Sequence, residues 1–214
     1  ARSMRLFPQF ISQGYTLRDP QNFFLPPVVK RNDSNFIEVC FSPFAEVNVQ
    51  YEIWAASSHV LAGRFTFINQ NNHTADFDFE LTGLLNPLGR EGRSMSVSQV
   101  GINHVLSGAS EDLQLVCFMT GGPGANNSPL PGLSLKIELE PGGARQITWA
   151  LAALASTQES FDLARLTTAR EWEAEKTRIE LLNASRQIEI HTGDADWDAA
   201  LAITQKIAAG LVYS

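Results

Sequence analysis

The sequence is poor in cysteine and has no long apolar run. It contains two cysteines in 214 residues, too few for a disulfide framework. Cys40 and Cys117 both have apolar neighbours, so we expect free thiols that pack as small hydrophobic side chains, with one disulfide between them as the alternative. The longest strongly apolar stretch, residues 147–155, is less than half of the roughly 20 residues that a membrane-spanning helix needs. We therefore expect no membrane segment.

Basic residues are in deficit. Lysine and arginine number 16 against 23 aspartates and glutamates, which gives a net charge of −7 and an isoelectric point near 5.1. On average such a molecule repels a phosphate backbone and an anionic membrane surface, so we expect neither nucleic acid nor a membrane as a partner. No apolar signal region follows residues 1–4, and this favours a cytoplasmic location.

Motifs for catalysis and metal binding are also missing. The four histidines never approach one another at ligand spacing, so no zinc site is predicted. The glycine-rich run at 121–124 lacks the lysine and the hydroxyl residue that would bind phosphate. Neither serine nor cysteine stands in a nucleophile signature, and no carboxylate pair is singled out for acid and base catalysis. We predict no catalytic residue, no metal and no cofactor in this chain.

Two sets of carboxylates could hold a cation but have simpler interpretations. Asp76, Asp78 and Glu80 alternate on one face of a predicted strand, which favours the hydrated side of a sheet over a cation site. The run 194–198 resembles the start of a calcium loop, but it lacks the glycine and the bidentate glutamate that the loop needs further on. Helix capping is the favoured interpretation there.

Alternating apolar and polar residues dominate the first part of the chain. Residues 47–53 and 133–140 alternate with period two, which is typical of strands with one buried and one hydrated face. Residues 113–119 are apolar almost throughout and predict a strand covered on both faces. Residues 63–81, with an asparagine-rich turn in the middle, predict a hairpin. Roughly eight to ten such strands without intervening helices predict a mainly β fold, an antiparallel β-sandwich over residues 1–155.

Residues 156–214 contain few turn residues and predict helices. Ser156 and Glu159 are spaced as a capping box. Apolar residues then recur about every 3.6 positions, which predicts one long linker helix that ends near Arg186. The other faces of this helix are charged, and we expect ion pairs between residues three or four apart. The expected pairs are Glu173 with Lys176, Glu175 with Arg178, and Lys176 with Glu180.

A further helix is predicted after Asp194, which can cap it, and two more aspartates in its first turn suit the positive end of the helix dipole. The apolar stripe of this helix is still in phase at Ser214. We therefore expect that the chain was cut from a longer one and that a missing domain covers the stripe. The stripe consists of Trp197, Leu201, Thr204, Ala208 and Leu211, and the residues expected at the domain interface are Trp172, Trp197, Leu201 and Leu211.

Trp54 is the least expected aromatic residue, because the alternation places it on the same face as Gln50 and Glu52. It is predicted to be exposed, either stacking on a sugar ring or packing beneath a neighbouring domain, with packing favoured. Trp54 is the one residue proposed for substrate binding. Tyr15 and Phe36 are further loop aromatics that could stack on glucan, although simple packing is the more frequent role.

Short motifs follow one another along the chain: GRF at 63–65, LSG at 106–108, TGGP at 120–123, EPG at 140–142 and TGDADWD at 192–198. With the order of the elements, they resemble the front of bacterial glycoside hydrolases and phosphorylases with an (α/α)6 barrel. The sequence looks like an N-terminal sandwich domain of the glycogen-debranching and glucoamylase-related group, over most of its length. In that group the acid and base residues belong to the barrel, which would lie beyond Ser214.

The resemblance implies a non-catalytic sandwich over residues 1–155, followed by a helical linker and the first helix of a missing barrel over residues 156–214. The fragment alone would be inactive, its parent would be a glycosidase, and its partners would be the catalytic barrel of the same parent chain and glucan oligosaccharide. Two alternatives remain open: an independent carbohydrate-binding module, and a scaffold domain that binds protein through the exposed helical stripe.

Overall fold

The structure of the protein, a computed structural model, describes residues 4–33, 35–126, 128–184 and 190–211. Within these ranges two antiparallel β-sheets are followed by three α-helices. The predicted fold class, an antiparallel β-sandwich with a helical linker and one further helix behind it, is confirmed. The residues in strands outnumber those in helices, so the fold is mainly β.

The smaller sheet contains five of the strands and the larger sheet eight, counted over the described ranges. The smaller sheet consists of β1 (Met4–Ser12), β2 (Tyr15–Leu17), β7 (Ala75–Leu85), β11 (Gly124–Ala125) and β12 (Gly132–Leu139), in the order β11-β12-β7-β1-β2. The larger sheet consists of β3 (Leu25–Asp33), β4 (Phe36–Phe44), β5 (Val47–Ser57), β6 (Val60–Asn69), β8 (Arg93–Val100), β9 (Asn103–Ser110), β10 (Leu113–Met119) and β13 (Ala144–Leu154), in the order β3-β4-β5-β6-β13-β10-β9-β8.

The main hydrophobic core lies between the two sheets, where the apolar residues of each alternating strand meet. Phe10 of β1 is fully buried, and its ring lies 5.8 Å from the rings of both Phe41 and Phe79. Phe65 approaches Phe79 to 4.9 Å from the opposite sheet. Burial of one such side chain contributes about 1.5–3 kcal/mol, so this aromatic cluster is a major source of stability.

At Gly63 the chain requires a bare backbone beneath an aromatic ring. It pairs across β6 and β13 with Trp149, which is buried. A Cβ atom at residue 63 would lie 2.6 Å from the indole Nε1 of Trp149. The glycine is therefore needed for the close packing of this indole ring on the strand.

The hairpin predicted over residues 63–81 is wrong, because β6 and β7 belong to different sheets. Phe67 of β6 and Phe77 of β7 face each other across the core with ring centroids 5.7 Å apart. The buried side-chain amide of Asn69 holds the crossover by donating to the carbonyl oxygens of His73 and Leu139 at 2.7 and 3.0 Å. Apolar side chains on both strands are better buried across the sandwich than side by side in one sheet.

The predicted long helix is also wrong, because the chain forms α1 (Thr157–Thr168) and α2 (Trp172–Ala184) with a break between them. Residue 186, its expected end, lies outside the described residues. At the break the hydroxyls of Thr167 and Thr168 donate to the carbonyl oxygens of Leu163 and Arg165, each at 2.8 Å. Such bonds compete with the helical backbone pattern and favour the end of a helix.

The start of α1 agrees with the capping prediction. The backbone N–H of Glu159 donates to Oγ of Ser156 at 3.2 Å, and the Ser156 hydroxyl donates to the Glu159 carboxylate at 2.8 Å. The third helix, α3 (Ala195–Leu211), is capped as predicted by Asp194, whose Oδ1 accepts from the N–H of Asp196 at 2.9 Å. Local rules therefore set where both helices begin.

Helix α1 lies on the outer face of the larger sheet, against β10 and β13. Its buried residues Phe161 and Ala164 pack there against apolar residues of the sheet. The Ser160 hydroxyl accepts from the N–H of Leu154 at 2.9 Å and donates to the carbonyl of Gln114 at 2.6 Å. Strand β10 is thus covered on both faces, as the apolar run at 113–119 predicts.

Among the described residues, none of the helices is both long and apolar enough to cross a membrane. The cytoplasmic location stays a prediction. The change from strand to helix falls where the sequence indicates, because β13 ends at Leu154 and α1 begins at Thr157. The division into two domains at residue 155 stays a prediction as well.

Candidate functional site

Trp54 lies on β5, on the face of the larger sheet that points away from the smaller sheet. It is 2% exposed, so the predicted exposure is wrong. The edge of its ring meets the ring of Trp172 in α2, with centroids 3.9 Å apart and planes at 85°. Its neighbour on β6 is the small residue Ala62, which leaves room for the indole. Of the two roles considered for Trp54 the structure shows packing, and a sugar could reach the ring only if α2 moved away.

Trp172 joins the start of α2 to the sandwich. It is half-buried, and the guanidinium carbon of Arg64 lies 4.7 Å from its ring centroid. A cation over an indole face at this distance contributes about 0.5–2 kcal/mol, more as water is excluded. Trp54, the residue proposed for substrate binding, and Trp172, a residue expected at the domain interface, are therefore brought together within this chain. A contact of Trp172 with a further domain stays a prediction.

A buried carboxylate lies beside this aromatic pair. Glu52 of β5 has no exposed surface, and Arg64 lies directly opposite it on β6. The Nε and Nη2 atoms of Arg64 both lie 2.8 Å from Oε2 of Glu52. Lys176 of α2 reaches the other carboxylate oxygen, with Nζ 2.8 Å from Oε1. Two cations thus neutralise one buried anion, because an unpaired charge in this position would be strongly destabilising.

The cluster continues outward through two more carboxylates. Arg64 uses Nη1 to bind Glu173 of α2 at 2.8 Å, and Lys176 lies 3.8 Å from Glu38 of β4. Burial works to lower the pKa of Lys176, but the hydrogen bond to Glu52 and the charges of Glu52, Glu38 and Glu173 outweigh it and raise that pKa. We call the residues Glu38, Glu52, Arg64, Glu173 and Lys176 the ion-pair cluster.

The structure corrects the expected charge pairs of α2. Glu175 does pair with Arg178, at 3.1 Å, as predicted. Lys176 instead binds Glu52, and Glu173 binds Arg64. Glu180 binds Arg31 of β3 at 2.7 Å. Charged residues that the sequence places on a hydrated helix face therefore contact the sheet.

Sequence reasoning missed the central members of this cluster. It assigned Glu52 to a hydrated strand face, which is wrong because α2 covers that face. Arg64 offered a signal, since it interrupts β6, an otherwise mostly apolar strand whose residues are nearly all buried. A charged residue in a strand covered on both sides requires a partner. The identity of the partner depended on strand register and on helix placement.

Helix α3 exposes part of its predicted stripe. Trp197 is 65% exposed, Leu201 is half-buried and Thr204 is exposed. Ile203, beside the predicted stripe, is 58% exposed. The side chains of Ala208 and Leu211 lie outside the part of the chain whose side chains the structure describes. The role of Trp197, Leu201 and Leu211 at a domain interface stays a prediction.

The first turn of α3 is hydrogen-bonded to the segment that precedes it. Asp198 accepts hydrogen bonds from the backbone N–H of Thr192 at 2.7 Å and from its hydroxyl at 2.6 Å. These bonds lower the pKa of the Asp198 carboxyl. The run 194–198, which resembles the start of a calcium loop, is thus used for helix capping. Over the residues the structure describes, we find no group of three or more potential ligands that could hold a metal ion.

The three alternating carboxylates of β7 have different surroundings. Asp76 and Asp78 are exposed, and Asp76 lies 3.2 Å from Lys136. Glu80 is buried and accepts from Nδ2 of Asn126 at 3.1 Å and from the hydroxyl of Ser128 at 2.6 Å. A hydrated face is therefore right for the first two and wrong for Glu80, because the loop after β11 covers it.

The two other candidate aromatic residues and the two cysteines lie at separate places in the fold. Phe36 is buried beneath α2, whereas Tyr15 is 76% exposed beside an open groove at one end of the sandwich. Cys40 and Cys117 are free thiols on strands β4 and β10, which are not neighbours. Burial raises the pKa of Cys117 to about 12, so its thiol stays protonated and unreactive near neutral pH.

No protein-family model matches the chain, and no curated protein matches it in sequence. Solved structures do match in fold. A bacterial glucoamylase complexed with acarbose matches with a TM-score of 0.57 and 8% identity, over 80% of this chain and 30% of the glucoamylase. The chain therefore spans less than a third of that protein.

Two further structures match with lower scores. A protein assigned as a kojibiose phosphorylase, from the human microbiome, has a TM-score of 0.49 and 12% identity over 94% of this chain and 26% of its own. A protein assigned as an aldose 1-epimerase, from Escherichia coli K12, has a TM-score of 0.45 and 10% identity over 71% of this chain and 84% of its own. The glucoamylase match shows that this sandwich fold occurs in carbohydrate-active enzymes.

Proposed function

We propose that this chain is the non-catalytic sandwich and linker of a carbohydrate-active enzyme of the glycogen-debranching and glucoamylase-related group. In this proposal it braces an (α/α)6 barrel that carries the glycosidase activity. The main observation that supports the proposal is that α2 is attached to the larger sheet by buried ion pairs, while α3, the next helix, exposes large apolar side chains. The fold shared with part of a bacterial glucoamylase supports the choice of enzyme class.

The attachment of α2 favours a rigid linker. Its contacts with the sheet extend from Glu173, bound to Arg64, through Lys176, bound to Glu52, to Glu180, bound to Arg31. These pairs are spread over about two helical turns and reach three different strands. A helix held at several points along its length cannot pivot about one contact. Such an attachment would fix the direction of α2 on the sandwich, as a brace requires.

The exposed residues of α3 favour a helical partner. Trp197 and Ile203 are both more than half exposed, and burial of each would contribute about 1.5–3 kcal/mol. We propose that the neighbouring helices of the barrel, in the same parent chain, cover them. Trp197, Leu201 and Leu211 would then lie at the domain interface. Trp172 would lie at the part of that interface nearest to the sandwich.

The buried carboxylates of the sandwich support a non-catalytic role. Glu52 is held between Arg64 and Lys176, and Glu80 is bound by Asn126 and Ser128. A general acid or a nucleophile of a glycosidase must face a second carboxylate across an accessible cleft. Both of these groups serve packing and hydrogen bonding within the fold instead.

The test uses the longer protein that the proposal requires, encoded by a reading frame that continues past Ser214. We expect that protein to hydrolyse α-glucans and the chain of 214 residues not to do so. Trp197→Asp should lower the melting temperature of the longer protein and leave that of the shorter chain unchanged. The matched control is Ile102→Asp, because Ile102 is 93% exposed in the turn between β8 and β9.

Two results would contradict the proposal. One is a stop codon directly after Ser214. The other is glucan hydrolysis by the chain alone, since catalytic residues would then have to lie within it.

A further inference from the structure

The sandwich has an open groove at the end where the turns after β1 and β4 meet the connection between β6 and β7. Its volume is about 760 Å³, within the range of roughly 300–1,000 Å³ that is usual for small-molecule sites. The apolar residues Val47, Ala75 and Phe77 line it and are buried, so they form its floor. The edge of the hydrophobic core is thus accessible to a ligand at this end.

An exposed aromatic ring stands at the mouth of the groove. Tyr15 opens β2, the edge strand of the smaller sheet, and pairs there with Ser12. It follows Gly14, whose φ of +83° closes the tight turn from β1. The ring is 76% exposed although it lines the groove. An exposed ring on an ordered turn can bind a flat apolar face with little loss of conformational entropy.

Polar groups line the sides of the groove. Glu46 comes from the turn between β4 and β5, His73 comes from the connection into β7, and Asp76 comes from the start of β7 itself. Both carboxylates can accept hydrogen bonds from hydroxyl donors, and Glu46 also repels phosphate or carboxylate ligands, whereas the charge of Asp76 is paired with Lys136 at 3.2 Å. The groove therefore suits a neutral ligand that has apolar faces and a rim of hydroxyl groups.

We propose that this groove is a binding site for a neutral oligosaccharide, with a sugar ring stacked on Tyr15 and its hydroxyls donating to Glu46 and Asp76. A pyranose ring has this character, since its C–H groups lie on the two faces and its hydroxyls lie on the rim. The choice of an α-glucan as the probe rests on the proposed function. The site would hold the polymer on the sandwich.

The experiment is calorimetric titration of the chain of 214 residues with maltopentaose. We expect saturable binding by the wild type. Tyr15→Ala should weaken it at least about tenfold, which corresponds to about 1.4 kcal/mol. Tyr15→Phe keeps the ring and should retain the affinity within about twofold. Glu46→Gln removes a charged acceptor and should weaken binding by about threefold to tenfold.

The matched control is Phe24→Ala, because Phe24 is 61% exposed and does not line the groove. It should bind as the wild type does. Thermal unfolding of each variant would check that the fold is intact, and we expect little change because the substituted side chains are exposed.

Three results would overturn the inference: no binding by the wild type, equal binding by Tyr15→Ala, or a loss in Phe24→Ala as large as that in Tyr15→Ala. None of these results bears on the brace, which is tested by Trp197 in the longer protein. Conversely, a stop codon after Ser214 would remove the brace and leave the groove open to the same titration.

Discussion

Helices α1 and α2 cover the same face of the larger sheet but are held to it differently. Helix α1 packs through buried Phe161 and Ala164 and through hydrogen bonds of Ser160 to the backbone of the sheet. Helix α2 also packs apolar side chains there, buried Ile179 and half-buried Trp172, and it adds ion pairs centred on Glu52 and Lys176. Both helices continue the apolar packing on this face, and α2 is in addition attached by a buried cluster of ions.

The difference shows what each kind of attachment provides. Apolar contacts stabilise without directional constraint, and in α1 the hydrogen bonds of Ser160 to the sheet supply the directional part. A buried ion pair contributes little net stability, because desolvation offsets the attraction, but removal of one partner is costly. The ion-pair cluster therefore tolerates one placement of α2 on the sheet and penalises the others.

The largest expected effect comes from removal of the buried anion. Glu52→Ala leaves Arg64 and Lys176 facing each other without a carboxylate between them, and we expect a loss of about 3–5 kcal/mol in the free energy of unfolding. Urea denaturation measures it. Glu91→Ala, at an exposed loop residue, is the control and should change stability by less than about 0.5 kcal/mol. A loss below about 1 kcal/mol for Glu52→Ala would contradict the central role of this carboxylate.

The apolar attachment of α1 should respond differently to salt. Phe161→Ala removes a buried ring and should cost about 3 kcal/mol. Because no charge is involved, the loss of stability should be the same at low and high ionic strength. The loss caused by Glu52→Ala should change with salt concentration, because some members of the ion-pair cluster are partly exposed to solvent. A salt-dependent loss for Phe161→Ala, measured by the same denaturation, would remove the contrast between the helices.

Trp172 contributes both kinds of contact, so its loss should be intermediate. Trp172→Ala removes the edge contact with Trp54 and the ring beneath Arg64, and we expect a cost of about 2 kcal/mol because the side chain is half-buried. Trp172→Phe keeps an aromatic face and should recover about half of the loss. Near-ultraviolet circular dichroism should report the altered Trp54 environment. Equal stability of the alanine and phenylalanine variants would contradict the aromatic contribution.

The smallest effect is a dependence of α2 docking on alkaline pH. The pKa of Lys176 is raised above its ordinary value of 10.5, so its stabilisation is complete below that pH and is lost as pH rises through the folded pKa. The difference in urea midpoint between the wild type and Lys176→Gln should shrink above pH 10.5. Cys117, with a pKa raised to about 12 from 9.0, also destabilises the fold in this range, but equally in both proteins. A constant difference up to pH 12 would contradict the pairing.

Several elements could be predicted because they depend on local pattern. Period-two alternation identified β5 and β12, and the continuous apolar run identified β10 as covered on both faces. Ser156 and Asp194 identified the starts of α1 and α3, since capping is decided within one turn of helix. The mainly β sandwich followed from these elements together.

The errors arose where long-range partners decide the outcome. Residues 63–81 have the asparagine-rich turn and flanking strands that are typical of a hairpin, but burial of Phe67 against Phe77 places the two strands in different sheets. Glu52 has the spacing of a hydrated residue, and its burial depends on pairing with Arg64 of β6 and Lys176 of α2. Period and turn chemistry describe one element at a time, whereas these positions depend on contacts between elements far apart in sequence. The groove beside Tyr15 depends on three separate turns and left no pattern in the sequence.

If the ion-pair cluster holds α2 rigidly on the sheet, the most direct measurement is amide hydrogen exchange of residues 172–182. In the wild type these amides should exchange nearly as slowly as those of β5 and β6. In Glu52→Ala they should exchange much faster, while those of α1 stay protected for longer. Rapid exchange of α2 in the wild type, at the rate of exposed α3, would contradict the account.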